Sequence, residues 1–284
     1  VRLISALLFV AIWASVRGQT AANAALVIDI NYAGTPAYAP AFVNAKLTWE
    51  SRLSGYQDGT VLFASPGSSY NTGQTISSVF ISASVATDDG VGGRLGHASV
   101  THYAQDTLGF VLATDATIEF DSDDIALLSL AELEALVNHE VAHAIGFGSL
   151  WTQNNVYVNG TGEFLGTNAT LAWQNEFSQT GTADVEVEGG LGTIGGHWNE
   201  NLNGDGLTGI TDSMGRDMRD ELMTGWLNTN SFISDMTVAS FTDIGFTTRV
   251  VPVPEPASGV LLGLLLLIGI GRRRIRSAPK NAFI

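Results

Sequence analysis

The sequence predicts an α+β fold in which a mixed sheet precedes one long, well-capped helix and a loop-rich C-terminal part. Three observations carry this. Residues 56–120 alternate short β-type runs with Gly, Asp and Asn turns. Residues 129–146 show a helical apolar period with both ends marked. Residues 151–215 are rich in Gly and Asn and hold no sustained period. Of the 284 residues 45% are hydrophobic and only 14% charged, which excludes disorder driven by charge. There is no Cys, so disulfides and thiolate metal sites are excluded as well.

Taken in order, residues 1–24 read as a secretory signal peptide. Arg2 precedes a run from Leu3 to Ala14 that is apolar apart from Ser5, and Ala22-Asn23-Ala24 has the small-x-small pattern of a cleavage site. Residues 25–30 (Ala-Leu-Val-Ile-Asp-Ile) predict a strand. Pro40 predicts a helix start, with Phe42, Val43, Leu47 and Trp49 on or near one face and Gly55 as its end. Strands are expected at 61–63, 76–85, 110–112 and 117–120. Ser129 and Glu132 then form an S-x-x-E capping box. Leu133, Leu136, Val137, Val141 and Ile145 form the apolar stripe of the helix they start, and Gly146 closes it. A last helix is expected over 236–244, using Val238 and Phe241. The division that follows is a folded domain over 25–250, split into subdomains 25–148 and 149–250, with a separate tail over 251–284.

Charge is distributed unevenly. The two ends, 1–24 and 271–284, hold seven of the 13 basic residues, leaving a body rich in acid. Such a surface repels nucleic acid and anionic lipid, so no nucleic-acid partner is expected.

The predicted helix at 129–146 carries His139-Glu140-Val141-Ala142-His143. Imidazoles four residues apart stand one turn above each other and can reach one ion. Glu140 is rotated about 100° from His139, where its carboxylate reaches a water on that ion without becoming a ligand. This is the zinc-hydrolase arrangement, in which zinc lowers the pKa of its water and Glu140 takes the proton. A catalytic zinc usually needs a third protein ligand. The short pattern H-E-x-x-H-x-x-G-x-x-H fails, because Ser149 stands where its third His would be. His97, His102 and His197 remain, with Glu163 as an alternative; His197 lies on a Gly-rich bend, Gly195-Gly196-His197-Trp198, that lets the backbone come close to a metal.

His139 to Gly148, then Gly196-His197-Trp198, then Glu221-Leu222-Met223-Thr224-Gly225, resemble the leishmanolysin family of zinc metallopeptidases, a metzincin type, and especially its bacterial branch. The resemblance implies a metzincin-like metalloprotease domain with zinc on His139, His143 and His197. It also implies Glu140 as general base and Met223 as the apolar floor of the site. It spans about 25–246, loosely before 110. An apparent insertion, 199–219, departs from the family. Within it Asn201, Asn203 and Asp205 space oxygen donors two apart around a Gly turn, a pattern that suits calcium as well as it suits an ordinary polar loop.

The tail is similar to a PEP-CTERM sorting signal. Val253-Pro254-Glu255-Pro256-Ala257-Ser258 leads into an uncharged stretch, 257–271, and then three arginines. That resemblance implies a passing membrane anchor in a Gram-negative inner membrane, processing by an exosortase-like partner, and a final place on the cell surface, outer membrane or outside the cell. The expected activity is a secreted or surface-displayed zinc endopeptidase acting on protein or peptide substrates. Substrate is expected to extend along an edge strand near 117–120. The rival is a surface or matrix adhesion protein that keeps the fold without catalysis. Trp198 and Trp226 are the indole candidates for stabilising an oxyanion.

Overall fold

A computed structural model describes residues 25–190, 192–200 and 206–249. The segments read as signal peptide (1–24) and sorting tail (251–284, with the 257–271 stretch) lie outside these residues, as do Asn201, Asn203 and Asp205. Among the described residues no helix is long and apolar enough to cross a membrane.

The elements are β1 (Val27–Ala33), α1 (Ala39–Arg52), β2 (Leu53–Tyr56), β3 (Val61–Ala64), β4 (Ser78–Ala86), β5 (Gly96–Asp106), β6 (Val111–Asp121), α2 (Ser122–Ile125), α3 (Leu130–Ala144), α4 (Thr167–Glu176), α5 (Asp235–Asp243) and β7 (Phe246–Thr248). Five strands form one mixed sheet in the order β1-β4-β6-β5-β3. β1, β4 and β6 run parallel, and β5 is antiparallel to both β6 and β3. The inner strands β4 and β6 bury Val79, Ile81, Ala83, Leu112, Ala116, Ile118 and Phe120. α1 and α3 pack against each other and against the sheet. The Trp49 indole, fully buried, donates to the Asn138 carbonyl at 2.9 Å and joins the two helices. The α+β class with a mixed sheet is therefore as the sequence predicts.

Several details differ. α1 buries Ala41, Phe42, Ala45 and Trp49, whereas Val43 and Leu47 are exposed. The helix does not stop at Gly55; it turns at Leu53 directly into β2, which pairs with β7. That pairing brings the Tyr56 ring against Phe246, tilted by 39° with centroids 4.8 Å apart, so a tertiary contact ends the helix where a Gly signal was expected. The strands expected at 110–112 and 117–120 are one strand, β6. It lies inside the sheet, so the expectation that 117–120 is an edge for substrate is wrong. β5 and α4 were not anticipated. β5 holds much polar residue and buries only Ala104 and Asp106, while α4 buries only Ala169 and Trp173, so neither shows a full apolar period. In α5 the core side is Met236, Thr237, Ser240 and Phe241, and Val238 is half-buried.

Candidate metal centre

α3 is fixed at its start by the reciprocal capping box. Ser129 Oγ accepts from Glu132 N–H at 3.3 Å, and Glu132 Oε2 accepts from Ser129 N–H at 2.8 Å. Leu133, Leu136, Val137, Val141, Ala144 and Ile145 are buried, which turns His139 and His143 away from the core and into a cleft of about 780 Å³. The cleft walls include Arg94 to Ser99, Thr193 to His197 and Leu222.

The structure brings His139, His143 and His197 together. Each pair of Nε2 atoms is 3.0 Å apart. Every Nδ1 faces a main-chain carbonyl: Leu222 O at 2.7 Å for His139, Phe147 O at 2.9 Å for His143 and Thr193 O at 2.9 Å for His197. A carbonyl accepts only, so each Nδ1 carries the proton and each Nε2 presents a lone pair. Three lone pairs that converge at this distance repel one another, and a cation between them removes the conflict. The donor set therefore fits zinc, with carbonyl partners that orient the rings. Burial lowers the pKa of His139 to about 4 and of His197 to about 3, and pushes His143 well down, so all three rings stay neutral at neutral pH.

The third histidine arrives by a close main-chain approach. Gly148, with φ +67°, packs so tightly on residue 196 that a Cβ there would stand 2.7 Å from Gly196 Cα. His197 O accepts from Glu186 N–H at 2.9 Å, and Trp198 N–H donates to Met223 O at 3.0 Å. Trp198 itself is fully buried among Phe147, Trp151 and Phe164, at ring separations of 5.3, 4.9 and 5.1 Å, and its indole donates to Thr237 Oγ1 at 2.8 Å. The Trp226 indole donates to Glu200 Oε1 at 3.1 Å. Both indole N–H groups thus already have acceptors within the protein.

Glu140 is buried beside the two helix histidines. Burial raises its pKa to about 8, opposed by the charge of Arg94. Met223 is fully buried, one residue after the carbonyl that orients His139. Other candidates lie elsewhere. His97 lines the cleft wall from β5 and His102 packs against Gly67, but neither joins the three-histidine group. Glu163 is exposed and bonds Thr182. Asp212 is paired with Arg216 at 2.6 Å, and Asp217 accepts from Thr208, Gly209 and Arg219.

Glu221 was not given a role from sequence. It is fully buried and ties the turn that carries Leu222 and Met223. Its Oε2 accepts from Met223 N–H at 2.5 Å, and its Oε1 accepts from Ser234 N–H, Ser234 Oγ and Thr237 Oγ1 at 3.0, 2.8 and 2.6 Å. The sequence carries little signal for this, because Glu221 follows Arg219 and Asp220 and reads as part of a charged run.

No curated protein matches the chain. The sequence model of peptidase family M8, leishmanolysin, matches residues 99–250, a span that holds α3, His197 and the Glu221–Gly225 turn. The chain belongs to the leishmanolysin family of metallopeptidases.

Proposed function

We propose that the protein is a zinc-dependent endopeptidase, exported to the cell surface, the outer membrane or the surrounding medium. The observation that carries this reading is the set of three neutral imidazoles whose Nε2 atoms converge at 3.0 Å beside a buried glutamate in an open cleft. His139, His143 and His197 would hold the zinc, and Met223 would close the site from below. When bound, zinc supplies Lewis-acid polarisation of the scissile carbonyl and of the attacking water.

The protein's own groups perform the rest. Glu140 takes the proton from the attacking water and delivers it to the leaving amine. Burial favours the protonated form of this carboxyl, which is the form that gives the proton to the leaving amine. The substrate main chain would pair along β5. β3 pairs with that strand at 104–106, which leaves the outer edge of residues 96–99 beside the cleft. A buried carboxylate next to three ligands has no use in a purely adhesive protein, which favours catalysis over the rival reading.

Export rests on the sequence patterns of the two ends. The first 24 residues would direct secretion, and the tail would hold the protein in the inner membrane through 257–271 until an exosortase-like enzyme processes it near Pro254-Glu255-Pro256. The decisive experiment on the chemistry is Glu140→Gln with paired measurements of casein cleavage and zinc content. Proteolysis should fall by at least ~10³-fold while one zinc per chain is retained. Undiminished cleavage by the variant would remove the mechanism.

A further inference from the structure

A second group of potential ligands lies apart from the histidines. The loop over 87–95, between β4 and β5, folds across the end of β6 and the start of α2. There Asp89, Asp121 and Asp124 each bring a carboxylate oxygen within 4.8 Å of the others. Asp121 and Asp124 are buried, at 1% and 4% exposure, and Asp89 is exposed. Main-chain N–H groups satisfy part of this charge. Asp121 Oδ2 accepts from Asp88, Asp89 and Gly90 at 3.2, 2.9 and 2.9 Å, and its Oδ1 accepts from Asp123 at 2.8 Å. Asp124 Oδ1 accepts from Gly92 at 2.7 Å. Asp124 Oδ2, however, is buried with no hydrogen-bond partner.

A buried carboxylate oxygen left without a donor is costly, and three carboxylates crowded together repel. The cation of the loop does not relieve them, because the Arg94 guanidinium is held by Asp88 at 2.6 Å. A divalent ion would remove both defects at once. We propose that Asp89, Asp121 and Asp124 form a calcium site that no sequence pattern announced. The donors are all hard oxygens, without imidazole or thiolate, which excludes zinc as the preferred occupant. The loop is glycine-rich, with Gly90 and Gly92 in left-handed conformation, and the Asp89 carboxylate folds over Gly93 where any Cβ would collide with it. Such a loop supplies the irregular oxygen cage that calcium accepts and magnesium, which demands a near-ideal octahedron, does not.

The position gives the ion a task. The same loop continues into Gly93 to Ser99, one wall of the cleft, and Asp121 N–H donates to Leu95 O at 3.0 Å. Calcium at the three aspartates clamps the base of that wall, including Arg94, whose charge acts on Glu140. The site does not depend on the zinc reading and is tested without activity.

The zinc-loaded full chain, equilibrated in calcium-free buffer, is titrated with calcium chloride by calorimetry and melted with and without about 10 mM calcium. One calcium equivalent should bind at the aspartates and raise the thermal midpoint by ~5 °C. Asp124→Asn and Asp89→Asn should each weaken that binding at least ~10-fold and abolish the midpoint gain. Asp89 is exposed, so its variant folds and keeps the comparison clean. Asp205→Asn, in the separate sequence candidate, should leave the response intact, and magnesium should give a smaller shift. The proposal is overturned if calcium neither binds nor shifts the midpoint. It is equally overturned if Asp89→Asn binds calcium as the wild type does, if Asp205→Asn alone removes the response, or if magnesium is preferred.

Discussion

Replacing Glu221 by Gln tests how the centre is held without touching a ligand. The carboxylate is fully buried and receives four hydrogen bonds, three on Oε1 and one on Oε2. An amide of the same shape can present its oxygen to the three donors of Ser234 and Thr237, but its NH₂ then faces the Met223 N–H. One buried main-chain donor loses its acceptor and meets a second donor at close range. Leaving such a group unsatisfied costs about 1–3 kcal/mol, and the charge assistance to the other three bonds is lost as well, so about 3 kcal/mol is expected. For a domain of this size that corresponds to a fall in thermal midpoint of roughly 6–12 °C. The loosened turn also carries the Leu222 carbonyl that orients His139, so zinc affinity should drop about 10–100-fold. Thermal melts and competition with a chromophoric chelator read the two effects, with exposed Glu188→Gln as the control. A Glu221→Gln protein that melts within about 1 °C of wild type and binds zinc equally well would refute the reasoning.

Three further outcomes are expected. His197→Ala should weaken zinc binding by more than the ~10–100-fold of a lost supporting partner, because a donor itself is gone; chelator competition reads it. Gly148→Ala should place a Cβ against residue 196, push His197 off the other two rings and lower zinc affinity and midpoint together. Glu176 supplies the pH dependence. Burial raises its pKa from 4.5 to about 7, with the charges of Asp235 and Glu221 adding to the rise and the Met236 N–H opposing it. The native state therefore keeps a proton that the unfolded chain releases, so this contribution is present below pH 4.5 and is lost as pH rises through about 7. Glu176→Gln should remove about 2 kcal/mol of the stability lost over that interval, read as the difference between wild-type and variant urea denaturation at several pH values.

The parts of the fold and site that were legible are those whose cause is local. Ser129, Glu132 and the stripe from Leu133 to Ile145 define α3 by capping and period alone, and two imidazoles four apart follow from the same helix. His197 was reached by the scarcity of histidines, by its Gly-rich bend and by the family resemblance, and not by any local period. What brings it to the others is non-local: the contact of Gly148 with Gly196, and Trp198 sunk among three aromatic rings supplied by residues 147–164. β5 escaped because it buries only Ala104 and Asp106 while Ser99, Thr101 and Tyr103 are exposed, so no apolar alternation marks it. The end of α1 was misread because β7, nearly two hundred residues later, dictates it.

The excess of acid over base, read from sequence as a surface property, is partly an internal one. With 13 basic residues in the whole chain and most of them at its ends, a buried carboxylate here rarely finds a cation. It finds main-chain N–H groups. Asp106 gathers those of Gly59, Leu108 and Phe110; Asp217 those of Thr208, Gly209 and Arg219; Asp243 those of Asn168 and Ala169. Asp106 and Asp217 close loops that contain Gly59, Gly109, Gly209 and Gly215 and have little apolar surface of their own to bury, whereas the half-buried Asp243 holds the first turn of α4. Asp121 shows the electrostatic consequence: the N–H of Asp123 leads, with Gly90, Asp89 and Asp88, in holding its carboxyl below the usual range against the opposing effect of burial. Stability from the Asp121 knot is present above the ordinary carboxylate pKa and lost only as pH falls through the lowered one, whereas burial raises the pKa of Asp106 and reverses that sign. The 87–95 loop, which leads into the cleft wall, is thus secured throughout the neutral range, and its Asp124 Oδ2 is, with Glu200 Oε2, one of two buried carboxylate oxygens among the described residues that no hydrogen bond reaches; in the aspartate cluster that is where the fold still requires a positive charge.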